Sequence, residues 1–288
     1  SGKQCVVNYP PMNTGYGNQW GPFGLNLAWW ANNNRIAFCI EQERGDRVLR
    51  LLAFDMETGD ARVVFEENSD THINLLPEFP TTPLHRYLPA SNQLLWWSQR
   101  SGWGHLYLYD LVTGEPIRTL TAGDWVVRDV LFVDEVRREV VIQTAGRVAG
   151  RNPYYRDICR VNIDTGELTT LLSSDHDYFV ADHTSRASYS SITAQGVSPS
   201  SRYIVTTRSR VDQIPTSLLL DCSGKELLTL ETADDSGLPD KWQWPEPIMV
   251  KADDAVTDLY CVIFRPTDFD PNQNYPILDC TYSAFTPV

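Results

Sequence analysis

A serine hydrolase holds its nucleophile on a sharp strand-to-helix turn, Gly-x-Ser-x-Gly, with Asp and His following in chain order. No Gly-x-Ser-x-Gly occurs in the 288 residues. Ser101-Gly102 and Ser236-Gly237 lack the upstream glycine and lie in turn-like contexts, so the chain offers no triad. The stretch DHDYFVADH (175–183) holds two His and three Asp, a composition that can bind a metal. Its spacing matches no metal motif, and polar loops between sheets are expected to look like this. The six cysteines form no C-x-x-C pair, which excludes the common zinc spacings and the dithiol redox motif. Cys39 and Cys261 sit in apolar runs and read as buried free thiols. No metal and no cofactor is called for.

The elements that would position any site come from the bulk pattern. A net charge of −13 argues against nucleic acid as partner, since phosphate contacts need clustered Lys and Arg. Hydrophobic residues at 42% and charged residues at 21% are ordinary for a globular protein and argue against disorder. The longest apolar runs, such as Leu94-Leu95-Trp96-Trp97, are far too short to span a bilayer, so no membrane segment is expected. The opening Ser1-Gly2-Lys3 lacks an initiator Met and reads as a tag remnant or an internal start. No N-x-S/T acceptor is present, and periplasmic, extracellular and cytoplasmic locations all stay open.

A repeat decides the fold class. LLAFDMETGDARVVFEE (51–67), LYLYDLVTGEPIRTLT (106–121), ICRVNIDTGELTTLLS (158–173) and LLLDCSGKELLTLE (218–231) each pair two apolar strands across a tight turn. The turns start on Asp or Asn and end on Gly59, Gly114, Gly166 and Gly224, about 50–60 residues apart, near the blade length of a propeller. A second echo precedes each glycine: WWANNNRIAF (29–38), LPASNQLLWW (88–97), VDEVRREVVI (133–142) and VSPSSRYIVTT (197–207). Each is a polar turn followed by a strand rich in β-branched or aromatic residues. Two hairpins per unit predict four-stranded antiparallel blades in an all-β β-propeller, with about four blades over 25–240. The rival is a β-sandwich with accidental similarity. The many Trp and Tyr residues read as packing between blades.

Beyond Glu231 the turn signature stops. A Pro- and Asp-rich connector (232–247) leads to a predicted hairpin, Ile248–Lys251 with Asp258–Arg265, and a predicted strand at Pro276–Thr281. The motif SQRSGWGHLYLYDLVTG (98–114), LTAGDWVV (120–127) and LYCVIFRPTDFDPNQNYPILDCTY (259–282) resembles the dipeptidyl peptidase IV family of serine peptidases, within the prolyl oligopeptidase clan. The likeness runs in order over most of residues 25–288, while residues 1–24 form a poorly matched lead-in.

That resemblance implies the last blades of a larger propeller over 25–240. It also implies a connector with the opening strands of a truncated α/β-hydrolase domain over 241–288. The parent enzyme would release N-terminal dipeptides with Pro or Ala second, and the propeller would limit access to peptide substrates. Homodimerisation of the full-length protein is implied as well. Tyr282 matches the family tyrosine at the oxyanion hole, although Ser283-Ala284-Phe285 replaces the small residue, Gly and Pro expected next. Phe79, in LPEFPTT (76–82), falls near a loop lining the extended substrate pocket, or else is a loop phenylalanine covering a blade edge. Glu66-Glu67 invites comparison with the family's glutamate pair for the substrate ammonium, but it closes a blade hairpin and reads as a solvated strand end. GRVAGRNPYYRD (146–157) is a longer basic insert, either projecting toward a partner or substrate or lying as a plain solvent loop. The alternative function is a non-catalytic propeller that binds a protein or peptide.

Overall fold

The computed structural model describes residues 6–12, 27–75, 84–180 and 196–280. Four antiparallel sheets of four strands follow one another along the chain. The first holds β1 (Ala28–Trp30), β2 (Ile36–Gln42), β3 (Val48–Asp55) and β4 (Ala61–Asn68). The second holds β5 (His85–Leu88), β6 (Gln93–Ser98), β7 (His105–Asp110) and β8 (Pro116–Thr119). The third holds β9 (Val126–Asp134), β10 (Glu139–Ala145), β11 (Arg156–Asn162) and β12 (Leu168–Leu172). The fourth holds β13 (Asp177–Phe179), β14 (Tyr203–Arg210), β15 (Gln213–Asp221) and β16 (Glu226–Thr232), and a two-stranded hairpin of β17 (Glu246–Lys251) and β18 (Asp258–Ile263) follows. In every sheet the strands are paired in sequence order, the up-and-down meander of a propeller blade. No helix occurs among the described residues, so none there is long and apolar enough to cross a membrane.

Burial explains why the middle strands read as unbroken apolar runs. A strand sandwiched between neighbouring blades is covered on both faces, so alternation disappears. Strand β6 (QLLWWS) is buried at five of six positions, and β7 (HLYLYD) likewise. Phe38, Leu51 and Phe65 of the first blade share one core cluster with Trp96, Tyr107 and Tyr109 of the second. Leu95 and Leu108 join Val140, Ile142 and Cys159 across the next junction, and Val141 and Ile158 meet Ile204 and Leu218 across the third.

The repeated turn is a hydrogen-bonded device. Asp55, Asp110 and Asn162 each accept two backbone N–H bonds through Oδ1, from Glu57 and Thr58, Val112 and Thr113, and Asp164 and Thr165. The same side chains' backbone carbonyls accept from Gly59, Gly114 and Gly166. This Asx-turn mimics a backbone turn with a side-chain oxygen. The closing glycine has a second duty. Gly114 has φ +80°, and a Cβ there would stand 1.9 Å from the carbonyl oxygen of Val64. Val64 is the extra residue of a β-bulge in β4, since Leu51 pairs Phe65 and Leu52 pairs Val63. Gly224 packs in the same way on Leu171, the bulged residue of β12. Gly166 meets the Thr119 and Leu120 carbonyls less closely, so the second, third and fourth blades each lay a glycine turn against the blade before.

Residues 6–10 take that place on the first blade. Asn8 N–H bonds the Gly59 carbonyl at 2.7 Å, and the Tyr9 ring meets Phe54 edge-on at 5.8 Å. The Tyr9 hydroxyl donates to Glu41 at 2.7 Å, and burial together with that carboxylate pushes its pKa up to about 12.

Two expectations fail in the last fifty residues. Cys261 is exposed on β18 rather than buried, because no layer among the described residues covers the hairpin. Residues 276–280 form no strand: their backbone finds no ladder partner there, and Ile277 and Leu278 stand 91% and 94% exposed.

Candidate functional site

The blades have two unlike ends. One carries the Asx-turns. The other carries the β2–β3, β6–β7, β10–β11 and β14–β15 turns. Arginine–carboxylate pairs occur at both ends: Arg35 bonds Asp55 and Glu57, and Arg138 bonds Asp164, at the first, and others lie at the second. Arg50 bonds Glu41, Glu43 and Glu66. Arg100 of the second blade reaches Glu67 of the first at 2.8 Å and lies 4.4 Å over the Tyr107 ring. Arg156 grips Asp177 through Nε at 2.9 Å and its terminal nitrogen at 2.6 Å. Arg210 binds both oxygens of Asp212 at 2.8 Å and also bonds Asp175. Hydrogen bonding to Asp212 raises the Arg210 pKa, and Arg210 in turn holds the Asp212 carboxyl below its ordinary value.

At this end the hairpin lies across the third and fourth blades and leaves a cleft of about 640 Å³. That volume is in the range of small-ligand sites. One wall is the β10–β11 turn with Tyr154 and Tyr155, a second is the β12–β13 connection with Asp175, and a third is the β14–β15 turn with Ser209, Arg210 and Val211. The roof is β17 and β18 with Met249 and Tyr260. Tyr154 meets Tyr260 edge-to-face at 6.0 Å, so an aromatic contact joins wall and roof. Burial raises the Tyr155 hydroxyl pKa, and its ring lies 6.0 Å from the Arg210 guanidinium. The cleft thus offers aromatic and apolar surface beside carboxylates already engaged by arginine. It suits an extended chain with mixed side chains better than an isolated ion.

Of the residues singled out in the sequence, Phe79 and Tyr282 lie outside the described residues. Glu66 and Glu67 do not act as a pair. Glu66 faces Arg50, while the Glu67 side chain is only 11% exposed. Glu67 accepts from the Trp96 indole at 2.8 Å, from the Ser98 hydroxyl and from Arg100. It is a tie between two blades, not the solvated strand end expected, because the neighbouring blade brings three donors to it. The stretch 175–183 is likewise spent on structure where described. Asp175 binds Arg210, His176 Nε2 lies 3.0 Å from Gln213, and Asp177 binds Arg156.

The insert 146–157 also differs from its charge pattern. Its arginines fold back: Arg147 bonds Thr170 and lies over Trp125, and Arg151 bonds Ser173, Ser174 and Asp157. Its tyrosines make the cleft wall instead. The sequence signal for them was the insert's length and its adjacent Tyr154-Tyr155. Tyr260 and Met249 carried no signal, because their contact depends on where the hairpin settles.

The motif at 98–127 is structural. His105 Nε2 lies 2.9 Å from the Gly123 carbonyl, so Nε2 carries the proton. Nδ1 then accepts from the Thr121 hydroxyl at 3.0 Å, and Thr121 Oγ1 accepts the Leu106 N–H at 2.9 Å. Burial lowers the His105 pKa, which keeps this neutral tautomer.

Residues 25–214 match the family model described as the dipeptidyl peptidase IV (DPP IV) N-terminal region. The chain belongs to the dipeptidyl peptidase IV family. Over 189 residues it is 29% identical to a probable dipeptidyl peptidase 4 of Aspergillus flavus, covering 65% of this chain and 22% of that protein. It is 26% identical over 192 residues to dipeptidyl peptidase 4 of Trichophyton tonsurans, with the same coverage. The chain therefore spans about a fifth of the length of these curated relatives. Among solved structures, a putative dipeptidyl aminopeptidase IV of Bacteroides ovatus superposes with a TM-score of 0.64 at 23% identity, over 86% of this chain and 35% of that one. Porphyromonas gingivalis dipeptidyl peptidase 4 gives 0.63 at 20% identity, over 86% and 32%. These structural likenesses establish the propeller fold of the dipeptidyl peptidase IV N-terminal region.

Proposed function

We propose that this chain is the substrate-gating propeller portion of a dipeptidyl peptidase IV-like serine exopeptidase that releases N-terminal dipeptides with Pro or Ala second. The match of residues 25–214 to the family's N-terminal region carries this reading. Residues 241–288 would open the α/β-hydrolase domain. Two bare surfaces support that organisation. The hairpin exposes Met249, Val250, Leu259, Val262 and Phe264, more apolar surface than a two-stranded sheet holds stably in water. In β16, Leu230 is the bulged residue equivalent to Val64 and Leu171, yet it is 47% exposed where those receive a blade turn. A larger propeller and a second domain would cover both.

The cleft's dimensions support a gating role. A cleft of this size would admit a peptide as an extended chain and would exclude a folded protein. Tyr282 would then supply a hydroxyl where negative charge develops at the scissile carbonyl, and Phe79 would line the extended pocket.

The test uses the complete gene product. It should cleave Xaa-Pro and Xaa-Ala chromogenic amides and leave their N-acetylated forms intact. Its reading frame beyond Val288 should carry Gly-x-Ser-x-Gly, then Asp and His. Peptide binding with no cleavage and no such motif would leave a non-catalytic binding propeller.

A further inference from the structure

The turn between the second and third strands of a blade spans 43–47 in the first blade, 99–104 in the second and 211–212 in the fourth, but 146–155 in the third. So long a loop needs an internal anchor to hold one shape. Arg151 supplies it. Its side chain is 8% exposed, and its partner Asp157 is fully buried at 2.8 Å. The same guanidinium donates to the Tyr155 carbonyl at 3.3 Å, to the Ser173 hydroxyl at 3.0 Å and to the Ser174 carbonyl at 2.6 Å. One side chain therefore ties the β10–β11 turn, which carries Tyr154 and Tyr155, to the connection that carries Asp175. These are two of the three walls of the cleft, the third being the β14–β15 turn.

The pair is a poor device for stability alone. Arg151 Nε and Asp157 Oδ1 are both buried with no protein partner. A buried ion pair left incompletely hydrogen-bonded returns little of its desolvation cost, and apolar residues of similar size often serve stability as well. What apolar residues cannot do is fix two separate backbone segments in one register through directed bonds.

We propose that Arg151, seated on Asp157, is a positioning residue that sets the spacing between these two walls of the cleft. The inference rests on the cleft being the substrate-facing site, but its test does not need substrate. Hydrogen exchange is measured on the 288-residue chain and on the double variant Arg151→Met/Asp157→Leu, alongside thermal unfolding. The expected result is a melting temperature near that of the parent, with amides of 146–155 and 173–176 exchanging at least about tenfold faster and the blades unchanged. Arg151→Lys serves as a milder variant that keeps the charge but loses the planar fork, and it should loosen the 173–176 wall. Native protection in both segments, or a uniform loss across all blades, overturns the proposal. A failure of the peptidase reading would appear only in the cleavage assay and would leave this outcome unchanged.

Discussion

The repeated Asx-turn and the ion pairs around the cleft use the same acceptor chemistry at different range. At the Asx-turn end, the acceptors Asp55, Asp110 and Asn162 bond backbone groups two and three residues ahead. At the cleft end, Glu67 meets Arg100 33 residues away and Asp175 meets Arg210 35 residues away. A local bond costs little chain entropy and repeats wherever the sequence repeats. A distant bond depends on how neighbouring blades stack. The local turn repeats from blade to blade, and the ion pairs around the cleft give individual blades their separate characters.

The sharpest way to break the turn end is Gly114→Ala. The new Cβ would collide with the Val64 carbonyl while the backbone sits at φ +80°, so neither side can yield cheaply. We expect a loss of about 3 kcal/mol or more in urea unfolding, with the first and second blades separating. An unchanged midpoint would mean that the turn does not transmit the packing between blades.

At the opposite end, Glu67→Ala removes the acceptor of three donors from the next blade. Stranding the Trp96 indole and removing the carboxylate partner of Arg100, which keeps only Tyr109 and Ser98, should cost about 2–3 kcal/mol. Glu66→Ala is the internal control, since its partner Arg50 keeps Glu41 and Glu43, and it should cost at most about 1 kcal/mol. Equal effects from the two substitutions would erase the distinction between a tie and a surface pair.

Legibility followed range. The four blades were readable because Gly59, Gly114, Gly166 and Gly224 punctuate matching strand pairs, and the strand order came with them. The Glu67 tie was not readable, because nothing local distinguishes a solvated strand end from one met by a neighbouring blade. The cleft was half readable. The insert 146–157 stood out by length and basic charge, which left projection and a plain solvent loop both open, whereas Arg151 turns inward. The hairpin was placed within a few residues, and the failure at 276–280 and at Cys261 has one cause. Apolar runs predict burial, and burial needs a covering layer that a linear pattern does not supply.

Acid should separate the interior from both ends. His85 lies between Trp29 and Trp96, with ring centroids at 4.3 and 6.1 Å, and burial lowers its pKa to about 3. The unfolded chain binds this proton near pH 6.5 and the folded chain does not. Stability is therefore intact above pH 6.5 and falls as pH drops toward 3, by at most about 1.4 kcal/mol per unit. Between pH 6.5 and 5, before carboxylates protonate, His85→Leu should flatten the stability profile. His105, also lowered by burial, would retain a smaller slope of the same sign. A profile that His85→Leu leaves unaltered would place the acid sensitivity elsewhere.

The smallest effect asks what the Asx-turn needs. The first two turns use a carboxylate and the third uses the amide of Asn162, with the same two bonds to Oδ1. If the acceptor oxygen is what counts, Asn162→Asp should change stability by less than about 0.5 kcal/mol, while Asp110→Ala should cost about 1 kcal/mol. If charge counts, Asn162→Asp should stabilise and its gain should shrink in salt. Thermal unfolding at low and high ionic strength decides between them. An effect near zero at both would mean that these turns are specified by geometry, which is why Asp and Asn can alternate through the repeat without disturbing the blades.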